Sequence, residues 1–151
     1  MGGRLPKLDM ANAKIDIYTD GAARGNPGPS ASGFMVLADG AIIHEESAYN
    51  GRATNNYAEY NAVILALEWC LGNLNEAERM DMDLYSDSEL TIKQLSGRYK
   101  VKSSALAPIN GKALELVHKF HSVKLNNVPR ENPNISRVDM KLNILLDNLK
   151  A

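Results

Sequence analysis

Along the first third of the chain, apolar and polar residues alternate in short runs separated by glycine, proline and Asp-Gly. In residues 14–20, Ile15, Ile17 and Thr19 face one way and Asp16, Tyr18 and Asp20 the other, the two-residue period of a strand. Residues 21–29, rich in glycine and proline, predict a loop. Residues 33–38 form a short apolar run, Asp39-Gly40 is a hairpin signal, and residues 41–49 return as a third strand. Three strands on short connections predict an antiparallel meander.

The period then lengthens. Residues 54–70 place Ala62, Val63, Ala66, Leu67 and Cys70 on one helical stripe. Residues 80–86 read as a strand and 87–95 as a short helix ending near Gly97. Residues 104–120 read as a longer helix, with Pro108 tolerated in its first turn. A last strand is expected at 123–128 and a final helix at 136–150, with Val138, Leu142, Leu145 and Leu149 on one stripe. Strands that alternate with helices pair in parallel, so the pattern predicts an α/β fold with a mixed sheet flanked by helices. Residues 1–13 show no period and read as a flexible N-terminal arm, leaving residues 14–151 as a single domain.

Composition adds exclusions. An apolar fraction of 44% and a charged fraction of 23% are ordinary for a soluble globular domain. No apolar run is long enough to span a bilayer, and no secretion signal opens the chain, so a cytoplasmic monomer without a membrane partner is expected. Cys70 is the single cysteine, which excludes an internal disulfide and a cysteine-rich zinc site. Lys and Arg number 17 against 18 Asp and Glu, a net charge of −1. Non-specific nucleic-acid binders carry a basic excess, so any such binding here needs a local basic face, backbone donors or metal ions over an acidic site.

Four acidic residues stand out, each with a plain local explanation. Asp20 precedes Gly21 as turn aspartates do. Glu59 follows Asn56 by three residues, the spacing of a capping box, yet it shares the apolar stripe of its helix, where a carboxylate is costly unless paired or metal-bound. Asp87 lies where a strand gives way to a helix, either as an N-cap or as a site residue at a strand end. Asp139 follows Ser136 at capping distance, with Asn143 one turn later on the same side. Taken together, capping does not account for their shared association with strand ends. If the first and fourth strands are adjacent and parallel, Asp20 and Asp87 emerge side by side. Crowded carboxylates need a counterion, and a hard divalent cation such as Mg²⁺ suits them.

At this point the chain resembles a known family. Thr19-Asp20-Gly21-Ala22-Ala23-Arg24-Gly25-Asn26-Pro27-Gly28-Pro29 is similar to the opening motif of type 1 ribonuclease H. Thr54-Asn55-Asn56-Tyr57-Ala58-Glu59-Tyr60 resembles its second motif, Tyr85-Ser86-Asp87-Ser88-Glu89-Leu90 its third, and Val138-Asp139-Met140-Lys141-Leu142-Asn143, more loosely, its last. The resemblance implies a five-stranded mixed sheet of order 3-2-1-4-5. It implies hydrolysis of the RNA strand of RNA–DNA hybrids, leaving 5′-phosphate and 3′-hydroxyl ends. Two Mg²⁺ ions are implied, with Mn²⁺ as a substitute. Asp20 would bridge both ions, Glu59 and Asp87 would complete one, and Asp139 the other. Gly25, Asn26, Asn56 and Ser88, with Glu59, match contacts to RNA sugars and bases, where the 2′-hydroxyl distinguishes RNA from DNA. Arg52 and Thr54 match positions that hold a DNA-strand phosphate. Gly21, Asn55 and Glu89 complete the implied substrate contacts.

The departures are also specific. Glu89 stands where many relatives have glutamine, and the basic, tryptophan-rich protrusion of some relatives is missing. The loop before Asp139 is longer than the usual pattern and lacks a histidine that some relatives use in product release, leaving Arg130 or Glu131 as candidates for that place. Two competing readings follow: a hybrid-binding module of the same fold with little or no turnover, and a DNA-transferring integrase or transposase relative. The Gly25-to-Pro29 loop and the Asn55-Asn56 pair argue against the latter.

Overall fold

The computed structural model describes residues 6–149. Strands β1 (Ile15–Ala23), β2 (Gly28–Ala38) and β3 (Ala41–Ala53) form the expected antiparallel meander. Helix α1 (Asn55–Asn73) leads through a 3-10 turn at Ala77–Arg79 into β4 (Asp81–Ser86). Then come α2 (Glu89–Leu95), α3 (Ala107–Val117), β5 (Ser122–Asn127) and α4 (Pro133–Asn148). The sheet order is β3-β2-β1-β4-β5, with β1, β4 and β5 mutually parallel. This is the α/β architecture and strand order that the motifs implied.

Each face of the sheet has its own apolar layer. Ile15 and Ile17 of β1 point into a large core with Tyr60, Val63, Ile64 and Leu67 of α1, which Ala113 and Leu116 of α3 extend. On the opposite face, Met35 and Leu37 of β2 meet Val138, Leu142 and Leu146 of α4, with Tyr18 and Ala22 of β1 alongside. Alternation along β1 therefore sends odd-numbered side chains toward α1 and even-numbered ones, Asp20 included, toward α4.

Several boundaries differ from the sequence reading, and most of the differences move a site residue. Residues 21–29 are only partly a loop: β1 and β2 stay paired through Ala23 and Ser30, placing Gly21 within the strand. Glycine and alanine carry no strand signal of their own here; the ladder to β2 holds them. The N-cap of α1 is Thr54, whose side chain accepts from the Tyr57 N–H (3.1 Å), rather than Asn56. Glu59 thus lies in the second turn and is not part of a capping box. Likewise Ser88, not Asp87, caps α2. Helix α4 starts at Pro133, three residues earlier than expected, because the Asn132 side chain accepts from the N–H groups of Asn134 (2.9 Å) and Ile135 (3.2 Å). Asp139 is therefore well inside the helix, which removes its capping role. Helix α3 begins at Ala107 rather than 104 after a turn in which Ser103 Oγ accepts from the Leu106 N–H (3.3 Å).

Part of the expected N-terminal arm is held. Leu8 pairs in parallel with Leu74, its N–H donating to Asn73 O (2.7 Å), while Met10 and Ala13 pack against the main core. Residues 1–5 of that arm, and residues 150–151 of the expected domain, lie outside the described residues.

Candidate active site

The parallel pairing of β1 with β4 ends at Tyr18 and Tyr85, and carrying the same register two residues further brings Asp20 level with Asp87. Here β1 continues with its antiparallel partner β2 while β4 runs toward α2, so the two aspartates sit where the sheet changes direction, a place where open α/β sheets form sites. Two glycines let the helical layers close in on this point. A Cβ on Gly21 would overlap the carbonyl group of Ala58, so the glycine lets α1 press against β1. On the other face, a Cβ on Gly33, the cross-strand partner of Asp20, would stand 3.1 Å from Val138 Cγ1 beside Asp139.

The result is a shared acidic depression of about 320 Å³ that includes Asp20, Glu59, Asp87 and Asp139 in its lining. Carboxylate oxygens of Asp20, Glu59 and Asp87 all lie within 4.8 Å of one another. Asp20 and Glu59 are buried, whereas Asp87 and Asp139 are partly open. Glu59 is held by the Gly21 N–H, which donates to its Oε1, and by Ser86 Oγ at 3.4 Å from Oε2. Asp139 accepts from Asn143 Nδ2 through Oδ1 (3.1 Å).

Burial drives the electrostatics. It pushes the Asp20 carboxyl far above the usual carboxylate range, and the charges of Glu59 and Asp87 push the same way. Glu59 is raised by burial and by Asp87, against the donors that hold it. Asp87 is raised by burial too, against the pull of its own backbone N–H and of Arg130. Such a group of carboxylates cannot all stay charged unaided, and its all-oxygen donor set suits a hard divalent cation.

A second depression of about 470 Å³ adjoins the first through Asn56 and carries Asn26, Arg52 and Thr54 on its wall. Sequence reasoning missed Asn50, Tyr57 and the Ser103-to-Leu106 turn that complete this wall; the turn follows α2 by several residues and bears no motif. Asn26 and Asn55 also hold the framework together. Asn55 N–H donates to Asn26 Oδ1 (3.0 Å) and Ala23 N–H to Asn55 Oδ1 (2.8 Å), tying the β1–β2 turn to the start of α1. Gly21, Asn55 and Ser88 line the acidic depression. Gly25 is exposed on the adjoining turn and lines neither depression. Glu89 lies outside both and pairs with Lys93 at 2.6 Å, which holds its carboxyl below the usual range. Of the two loop candidates, Arg130 lines the acidic depression and Glu131 does not.

Comparison with known proteins identifies the family. The family model for RNase H matches residues 12–133. The chain belongs to the RNase H family. It is 38% identical to ribonuclease HI of Halobacterium salinarum, over 89% of this chain and 65% of that protein. It is 35% identical to ribonuclease H of Prosthecochloris aestuarii, over 80% of this chain and 86% of that one. The crystal structure of LC11-RNase H1 in complex with an RNA/DNA hybrid superposes with a TM-score of 0.83 at 38% identity, covering 91% of this chain and all of that one (100%). The chain thus spans about two thirds of its halobacterial relative and 32% of the length of three mycobacterial ones.

Proposed function

We propose that this protein is an endonuclease that hydrolyses the RNA strand of RNA–DNA hybrids, leaving 5′-phosphate and 3′-hydroxyl ends. The observation that carries this reading is the convergence of four carboxylates beside a groove of asparagine, arginine and threonine, in a chain of the RNase H family. Asp20, Glu59 and Asp87 have the spacing and donor chemistry to hold Mg²⁺, with Mn²⁺ as a substitute, and Asp139, on the wall of the same depression, would serve a second ion. When bound, a pair of such ions activates water and stabilises the leaving oxygen of an in-line displacement. The chain's own part is to hold the carboxylates in place. Gly21 N–H and Ser86 fix Glu59, and burial of Asp20 and Glu59 keeps bulk water from screening their charges.

Gly25, Asn26, Asn56 and Ser88, with Glu59, face the RNA strand in this reading, and asparagine amides both donate to and accept from a 2′-hydroxyl. Gly21 and Asn55 border the scissile region. Arg52 and Thr54 hold a phosphate of the DNA strand, with the guanidinium supplying charge the overall composition lacks. Glu89, neutralised by Lys93, lies at the edge of the contact surface. The protein acts as a monomer and works in the cytoplasm.

The test is a gel assay of end-labelled RNA–DNA hybrid with Mg²⁺, Mn²⁺ or EDTA, alongside Asp20→Asn. Metal-dependent internal cuts in the RNA alone, absent in the variant, are the expected result. Intact RNA with retained hybrid binding would turn the assignment into a binding module.

A further inference from the structure

We propose that Arg24 and Asn143 are positioning residues for Asp139: Arg24 fixes the rotation of the Asn143 amide, and that amide fixes the carboxylate. The proposal rests on reading the acidic depression as the metal site.

Asn143 Nδ2 stands 3.1 Å from Asp139 Oδ1 and 2.9 Å from Asp139 O. An amide side chain can present either end, and a reversed Asn143 would turn an oxygen toward the carboxylate. Arg24 settles the choice. Its Nη2 lies 3.2 Å from Asn143 Oδ1 and 3.2 Å from Asn143 O. A guanidinium has donors only, so it meets the oxygen end and leaves the nitrogen end for Asp139. Arg24 is itself anchored by Asp147, one turn further along α4, through Nη1 at 2.6 Å. Its side chain is 27% exposed and does not line the acidic depression.

Geometry gives this relay a purpose beyond tying a turn to a helix. Glu59 has two donors to hold its oxygens, whereas Asp139 stands partly open on a helix face, and among the described residues the amide that donates to its carboxylate is that of Asn143. Arg24 also directly precedes Gly25 and Asn26, so the segment facing the RNA and the ligand on α4 share one anchor. Groups that orient metal ligands typically change metal affinity or activity by about 10–100-fold when removed.

The experiment compares Asn143→Ala, Arg24→Ala, Arg24→Lys and the double alanine variant with the parent protein. Mn²⁺ binding is measured by calorimetry without nucleic acid, and hybrid cleavage is followed across Mg²⁺ concentrations, with melting curves in EDTA as a folding control. Asn143→Ala is expected to weaken Mn²⁺ binding and lower kcat by about tenfold or more, with KM for hybrid nearly constant. Arg24→Ala should lose less in the same direction, Arg24→Lys should recover most of it, and the double variant should match Asn143→Ala. Additive losses, a rise in KM alone, or a lower melting temperature with unchanged Mn²⁺ binding would overturn the positioning role while leaving the nuclease assignment in place. A parent protein that neither binds Mn²⁺ nor cleaves hybrid would instead remove the assignment, and the relay with it.

Discussion

Replacing Asp20 by asparagine should make the metal-free protein more stable, not less. The side chain is buried, with Glu59 and Asp87 oxygens within 4.8 Å of its own. At an effective dielectric near 20, two unit charges at that distance repel by about 3 kcal/mol. The folded protein escapes part of this cost by retaining protons, as the raised values of Asp20 and Glu59 indicate, so the net relief is about 1–3 kcal/mol. For a chain of this size that corresponds to roughly 3–10 °C in melting temperature. A carboxyl whose folded value is raised favours the folded state at low pH and loses that contribution as pH rises through the raised value. The advantage of Asp20→Asn should therefore be small near pH 4 and grow toward pH 8 or 9. Melting curves of both proteins in EDTA across that range measure it. Millimolar Mg²⁺ should then raise the parent protein more than the variant and narrow the gap. A variant that melts at or below the parent at pH 8, or a gap that ignores pH, would refute the shared acidic site.

Other outcomes follow from single contacts. Gly21→Ala places a methyl group into the Ala58 carbonyl, so α1 must move away from β1; a loss of at least about 1–3 kcal/mol in urea melts and a large loss of cleavage are expected. Glu45 is held near a pKa of about 2 by Arg137 and Lys141. A lowered value contributes above the ordinary 4.5 and fades as pH falls through about 2, so Glu45→Gln should cost no more than about 1 kcal/mol at pH 7 and only a small part of that near pH 2, read from melts at the two pH values.

The chain declared most of its fold through periodicity. Ile15 and Ile17 alternate with polar neighbours, and Ala62, Val63, Ala66, Leu67 and Cys70 form a stripe; all of these are buried. What it concealed depended on long-range pairing. Gly21 to Ala23 have no strand propensity, and only the ladder to β2 makes them strand. Capping misled in three places because Thr54, Ser88 and Asn132 compete with equally plausible caps nearby, and only the backbone selects between them. The four acidic residues were legible as motif positions, but their meeting depends on the register of β1 against β4 and on two absent Cβ atoms. Arg24 stood within a motif without a visible role, since its partners on α4 lie more than a hundred residues away.

The placement of α4 has a consequence for how the chain emerges during synthesis. Ile15, Ile17 and the face of α1 can bury one another well before α4 exists, and with them Asp20, Glu59 and Asp87 come into place. Met35 and Leu37 stay uncovered until Val138, Leu142 and Leu146 arrive, and Asp139 arrives with them. The element that closes the second apolar layer is thus the one that completes the acid quartet. A chain extended through β4 but not yet into α4, still attached to a ribosome built largely of RNA, carries three of its four carboxylates and a sticky bare sheet. Completion of the acidic cluster and removal of the exposed surface are then a single folding event.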